Sequence, residues 1–274
     1  MQRVSALDGI EVRARLQGQR APVVFVHGAM DRSSAFLRCS RFLSAHPVVI
    51  YDRRGYGRSV LREGEATPDV HRHVLDLHAM ITFCTDETGR SPIVVGHSLG
   101  GTIAIVGAGE RPNSIAGLIT YESPLLWESW WPALQDPAST SGVHSGDERI
   151  AGARMAESFL RRMIGDARWE SLPEPTRIRR LEEGRTLRSE LLTARAIDVP
   201  NLDRITVPVI VAVGSGADAI RHRAASTLVA SMSEASAVVL ADAPHNLHTA
   251  DPERFSALVE RLNPPVGPEV PTIA

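Results

Sequence analysis

Short apolar runs bounded by glycine, proline or aspartate recur along the chain, and stretches of helical spacing separate them. Residues 21–26, 47–51, 92–95, 115–121, 207–213 and 236–241 are the apolar runs. They predict strands buried on both faces of a parallel sheet, because side chains alternate between faces and both faces must then be apolar. Residues 3–7 and 10–16 flank Asp8-Gly9 and predict a two-residue hairpin. Between the runs, Val70, Val74, Leu77 and Ile81 repeat at helical spacing. Helices are also predicted over residues 33–43, 98–108, 222–232 and 251–262. The 98–108 segment is small and apolar, as a helix packed on a sheet would be. Strand and helix alternate, which predicts an α/β fold: a mainly parallel central sheet with helices on both faces.

Residues 123–202 interrupt the alternation. All four tryptophans lie there (Trp127, Trp130, Trp131 and Trp169), with dense arginine and glutamate and no strand-like run. This stretch reads as a helical insertion between two strands. Residues 1–122 and 203–263 then form the core domain, and residues 264–274, with four prolines, form an extended or disordered tail.

Composition narrows the chemistry. All 30 basic residues among the 274 are arginine. With no lysine, a Schiff base, a Ser-Lys dyad and a P-loop Gly-Lys pair are excluded. Biased codon use is the simplest origin of that absence. The formal charge of −2 argues against a nucleic-acid partner. Two cysteines without CxxC spacing suit a reducing cytoplasm. No apolar run approaches the ~20 residues of a membrane helix, and the N-terminus has no apolar signal core. The expectation is a cytoplasmic chain with neither membrane nor nucleic acid as partner, and nothing in the pattern specifies an oligomeric state.

The segment Gly96-His97-Ser98-Leu99-Gly100-Gly101 ends a predicted buried strand and opens a helix. It is a G-x-S-x-G elbow, in which a sharp turn lifts the serine hydroxyl above the sheet edge. The alternative for Ser98 is an ordinary helix N-cap.

With this elbow, three further segments complete a resemblance to the α/β-hydrolase family: Val23-Val24-Phe25-Val26-His27-Gly28, Asp52-Arg53-Arg54-Gly55-Tyr56-Gly57-Arg58-Ser59, and Ala243-Pro244-His245 with Pro252-Glu253-Arg254-Phe255. The resemblance covers residues 5 to about 262, and the insertion falls where that family places a helical cap. It implies Ser98 as nucleophile and His245 as general base. A serine here separates the chain from the haloalkane dehalogenases and epoxide hydrolases of the same fold, which use aspartate. His248 is the nearest rival base, and the spacing to Pro252-Glu253 favours His245. Pro244 stands where the family often has glycine. The acid has two candidates. Glu122, after the 115–121 strand, is favoured. Asp218, after the 207–213 strand, is the alternative, although the family's usual slot there holds Ala217. The resemblance also implies an oxyanion hole from the backbone amides of Ala29 and Leu99, with His27 as a structural hydrogen-bonding residue; Met30 either lines the substrate pocket beside it or is ordinary core packing.

Weaker groupings have two readings each. Trp127, Trp130 and Trp131 line an acyl pocket or anchor the insertion. His71, His73 and His78 with Asp76 suggest a metal set or, preferably, a solvated helix face. Arg161 and Arg179 bind an anionic substrate or, preferably, sit in solvated salt bridges. The expected function is a serine hydrolase cleaving an ester or related acyl bond of a small molecule, with no metal or organic cofactor. The alternatives are a C–C bond hydrolase, lactonase or thioesterase with the same machinery, or a weakly hydrolytic small-molecule receptor.

Overall fold

The structure is a computed structural model that describes residues 1–62, 64–132 and 148–262, with only the backbone of Ser5 and Ala6. The expected tail and the 133–147 part of the expected insertion lie outside the described residues.

Strands β1 (Gln2–Leu7) and β2 (Ile10–Arg15) form the expected hairpin. Its turn residues Asp8 and Gly9 both take positive φ, 48° and 80°, the conformation that suits strand twist in a two-residue turn. Strands β3 (Val23–Val26), β4 (Val48–Tyr51), β5 (Ile93–His97), β6 (Gly117–Tyr121), β7 (Val209–Gly214) and β8 (Ala235–Leu240) complete one sheet. The strand order is β1-β2-β4-β3-β5-β6-β7-β8. Only the β1–β2 and β2–β4 pairings are antiparallel.

The period of two along each strand feeds two apolar layers. Val24, Val26, Val49 and Val94 face α2 (Val70–Thr88) and α3 (Leu99–Glu110). Val23, Phe25, Ile50 and Val95 face Phe36, Leu43 and the C-terminal helix. The helix expected over residues 33–43 is broken into a 3-10 turn, Ser33–Phe36, and a short α1, Cys39–Phe42. Leu37 bonds back three residues to Ser34, so the ladder changes pitch there. In α2, the Asp69 side chain accepts from the Arg72 amide at the start, and Gly89 ends the helix at φ 69°. Among the described residues, no helix is long and apolar enough to cross a membrane.

Among the described residues of the insertion lie four α-helices: α4 (Glu148–Ile164), α5 (Asp166–Glu170), α6 (Glu174–Glu182) and α7 (Gly184–Thr193). Helices α4 and α7 meet at two glycines. A Cβ on Gly184 would fall 2.1 Å from the Gly152 carbonyl oxygen, so only glycine permits that approach. A third apolar cluster of Met155, Ala156, Leu160, Trp169 and Leu187 reaches Met30 and Tyr56 and ties these helices to the core. Helices α8 (Ala219–Ser231), α9 (Leu247–Ala250) and α10 (Pro252–Leu262) complete the chain.

The histidines of α2 correct the solvated-face expectation. His73, Asp76 and His78 are all buried; only His71 projects outward, with 66% of its side chain exposed. The cause is a second layer that helical spacing does not reveal. Helix α7 brings Glu190 to 2.7 Å from His73 Nε2. Arg54 makes a two-pronged contact with Asp76, at 3.0 Å on each side. His78 Nε2 bonds the Gly107 carbonyl of α3 at 3.0 Å.

Candidate active site

The site collects at the C-terminal ends of β3, β5, β6 and β8. Among the described residues, five non-glycine residues have positive φ, and three of them stand here: Met30 at 54°, Ser98 at 52° and Glu122 at 49°. Such conformations cost about 1–3 kcal/mol each and persist where surrounding structure holds them.

Ser98 joins β5 to α3 with φ 52° and ψ −127°, and its side chain makes no capping hydrogen bond. The N-cap alternative for this hydroxyl therefore does not describe its bonding. The flanking glycines are sterically required. A Cβ on Gly96 would meet Gly101 Cα at 2.4 Å, and one on Gly100 would meet the Val26 carbonyl oxygen at 2.2 Å. The Leu99 amide opens α3 and so lacks an acceptor within the helix. Gly28 packs directly on the serine: a Cβ there would lie 3.1 Å from Ser98 Cβ.

Glu122 Oε2 accepts from His245 Nδ1 at 2.6 Å. Its other oxygen accepts from the Gly214 amide at 3.1 Å, and Arg221 Nε stands 3.5 Å from Oε2. The carboxylate is buried and surrounded by donors, which suits a charged acceptor. The His245 loop is fixed from below. Tyr121 Oη donates to the Pro244 carbonyl at 2.8 Å, and His97 Nε2 donates to the His245 carbonyl at 2.9 Å. Burial raises the Tyr121 pKa, so it remains a neutral donor. Pro244 is accommodated because only its carbonyl is used.

Asp218 is not joined to His245. It caps α8 by accepting from the Arg221 amide at 3.0 Å and pairs with the Arg221 guanidinium at 2.6 Å. His248 is likewise engaged elsewhere: its Nε2 bonds Asp31 at 2.9 Å and its ring lies 4.2 Å from that of His97. Burial opposes the Asp31 charge, but the His248 hydrogen bond and nearby imidazoles outweigh it and hold its pKa below the carboxylate range. Burial also pushes His97 well below the histidine range. Asp31, His97 and His248 place three possible metal-ligand atoms within 4.8 Å of one another. His97 Nε2 and the His248–Asp31 pair are hydrogen-bonded behind His245, whereas the buried Nδ1 atoms of His97 and His248 have no hydrogen-bond partner among the described residues.

His27 is a structural hydrogen-bonding residue. Its Nδ1 donates to the Gly28 carbonyl and its Nε2 accepts from the Arg53 amide, at 2.8 and 2.9 Å. Burial, then the charge of Arg53, lowers its pKa to about 4. Trp127, Trp130 and Trp131 pack against the same apolar cluster as Leu99 and Leu125, and Trp130 lies 4.2 Å beneath the Arg223 guanidinium. Trp169 and Tyr56 are buried in one cluster with Met30, and Phe159 packs against it. Arg161 pairs with Glu157, Asp166 and Glu170 at the surface, and Arg179 bonds Thr176. A cavity of about 610 Å³ opens beside Asp69, Glu110 and Arg204, and no site residue lines it.

A mainly parallel eight-stranded sheet with a strained serine between strand and helix defines an α/β-hydrolase architecture. The Alpha/beta hydrolase family model matches residues 23–258, and the chain belongs to that family. Human Monoglyceride lipase is 35% identical over 115 residues, 40% of this chain and 37% of that protein. Lipase LipV of Mycobacterium tuberculosis is 30% identical over 113 residues, 40% of this chain and 41% of that protein. The chain thus spans less than half the length of these curated relatives. An alpha/beta hydrolase of Sphaerobacter thermophilus shares the fold at a TM-score of 0.65 and 22% identity, covering 95% of this chain and 99% of that one.

Proposed function

We propose that the protein is a serine hydrolase that cleaves an ester or related acyl bond of a small molecule through an acyl-enzyme on Ser98. The observation that carries this reading is the 2.6 Å pairing of Glu122 with His245 Nδ1, on the same sheet edge as the strained Ser98. The lipase names of the partial relatives support an ester substrate.

In this mechanism Ser98 Oγ attacks the acyl carbonyl while His245 Nε2 takes its proton. Glu122 accepts the Nδ1–H bond, holds the ring's tautomer and stabilises the imidazolium. The carbonyl oxygen becomes an oxyanion held by the amides of Leu99 and Ala29; each such donor is worth ~2.7–4 kcal/mol. The tetrahedral intermediate collapses, the bond to the leaving group breaks, and His245 returns the proton to it. Water then attacks the acyl-enzyme with His245 as base, releasing the acid and restoring the Ser98 hydroxyl. None of these steps calls on a metal or organic cofactor. Helices α4–α7 serve as the cap, and Met30, clustered with Met155 and Trp169, lines the substrate pocket.

A fluorophosphonate probe tests the assignment. It should label the native protein, and Ser98→Ala should lose both labelling and turnover of p-nitrophenyl esters. Undiminished labelling of Ser98→Ala would sink the reading. Parallel assays of a thioester, a lactone and a dienol-type diketone separate the bond classes.

A further inference from the structure

Arg53, two residues beyond β4, has no exposed surface. Three of its donors are committed. Nε donates to the His27 carbonyl at 2.9 Å, one terminal nitrogen to the Gly28 carbonyl at 3.0 Å, and the other to Glu190 Oε1 at 2.5 Å. A buried guanidinium is costly unless fully paired. Apolar packing would not call for one at this position, but the two carbonyls do. They belong to the loop that carries the proposed oxyanion amide of Ala29.

A trans peptide is planar, so its N–H points opposite to its C=O. Among the described residues there is no cis peptide bond. Fixing the Gly28 carbonyl therefore fixes the direction of the Ala29 N–H. That carbonyl also accepts from His27 Nδ1 at 2.8 Å and from the Asp31 amide at 3.4 Å. Among the described residues, the Ala29 N–H donates to no protein acceptor. Glu190, on α7 of the inserted helices, holds the far side of Arg53. It also accepts from Tyr56 Oη at 2.7 Å and lies 2.7 Å from His73 Nε2. Burial opposes its charge, but Arg53 and His73 outweigh this and bring its pKa down to about 2.

We propose that Arg53 is a positioning residue that aims the Ala29 amide at the oxyanion, and that its pair with Glu190 makes this aim depend on the seating of α7. This rests on the serine-hydrolase reading above. Arg53 touches no reacting atom; it acts through the Gly28–Ala29 peptide. The inserted helices thereby gain an influence on the chemical step as well as on access to Ser98.

The test uses the full chain and rates per active site titrated with fluorophosphonate. The double variant Arg53→Met/Glu190→Gln leaves no unpaired buried charge, so it should keep the fold. Its kcat on p-nitrophenyl butyrate should fall about 100-fold, as for loss of one oxyanion donor, with KM within about threefold. Affinity for an alkyl trifluoromethyl ketone, whose serine adduct carries an oxyanion, should fall by a similar factor. Arg53→Lys keeps the pair with Glu190 but cannot fork to both carbonyls, and should lose kcat likewise. A purely structural role would lower the melting temperature while leaving kcat per titrated site and ketone affinity unchanged. That result in either variant overturns the proposal. If the native protein is not labelled at Ser98, the hydrolase reading fails first. If it is labelled and the variants match it, only the role of Arg53 fails.

Discussion

Glu122 and His245, separated by 123 residues, meet at 2.6 Å because β6 ends beside β7 and the loop after β8 folds back over both. Asp218, at the N-cap of α8 beyond β7, faces Arg221 instead. Glu122→Gln should therefore lower kcat by about 10⁴-fold, as when a triad acid becomes its amide. Asp218→Asn should stay within a few-fold of native, since Asn caps helices as well as Asp. Steady-state rates of the two variants decide between them, and the reverse order would remove Glu122 from the mechanism.

Ser98 holds φ 52° and ψ −127°, a conformation that glycine tolerates better than alanine. Relief of strain is worth about 1–3 kcal/mol, against about 0.5–1 kcal/mol of added chain entropy in the unfolded glycine variant. Ser98→Gly should thus be inactive and about 1 kcal/mol more stable than Ser98→Ala. Urea unfolding of both variants measures the difference.

His27 is fully buried, and its pKa falls from 6.5 to about 4 on folding. Between those values the unfolded chain binds the proton and the folded chain does not, so stability is lost as pH falls from 6.5 toward 4. The shift corresponds to about 3 kcal/mol. His97 is pushed the same way. Calorimetric melting temperatures should drop across this window in the native protein. The drop should be smaller in His27→Gln, and an equal slope would rule out His27 as a source.

The crossing of α4 and α7 admits no side chain at Gly184, where a Cβ would strike the Gly152 carbonyl. The obstacle is backbone and cannot swing aside. Gly184→Ala should cost about 1–3 kcal/mol as an overpacked contact, despite alanine's better helix propensity. A melting temperature equal to or above native would contradict the contact.

The strand runs, the hairpin and the elbow were legible because each is local. Period-two burial, positive φ in a two-residue turn and the steric need for small neighbours leave marks within a few residues. The solvated-face reading of His73, Asp76 and His78 failed for the converse reason. Helical spacing describes one face, whereas α2 is also covered by Arg54, α3 and α7. Glu190 was hidden in a charged stretch, and no local signal distinguishes a buried glutamate from a surface one.

The sequence by itself determined the fold class, the nucleophile elbow and a short set of candidates for base and acid, since these depend on residue type and near spacing. Tertiary structure alone decided which acid meets the histidine, that Trp169 rather than the Trp127 group joins Met30, and that Arg53 reaches both the Gly28 carbonyl and Glu190. Those pairings depend on strand order and on the seating of the inserted helices. They bring together residues 25 to 139 positions apart, where the physical link is packing rather than spacing along the chain.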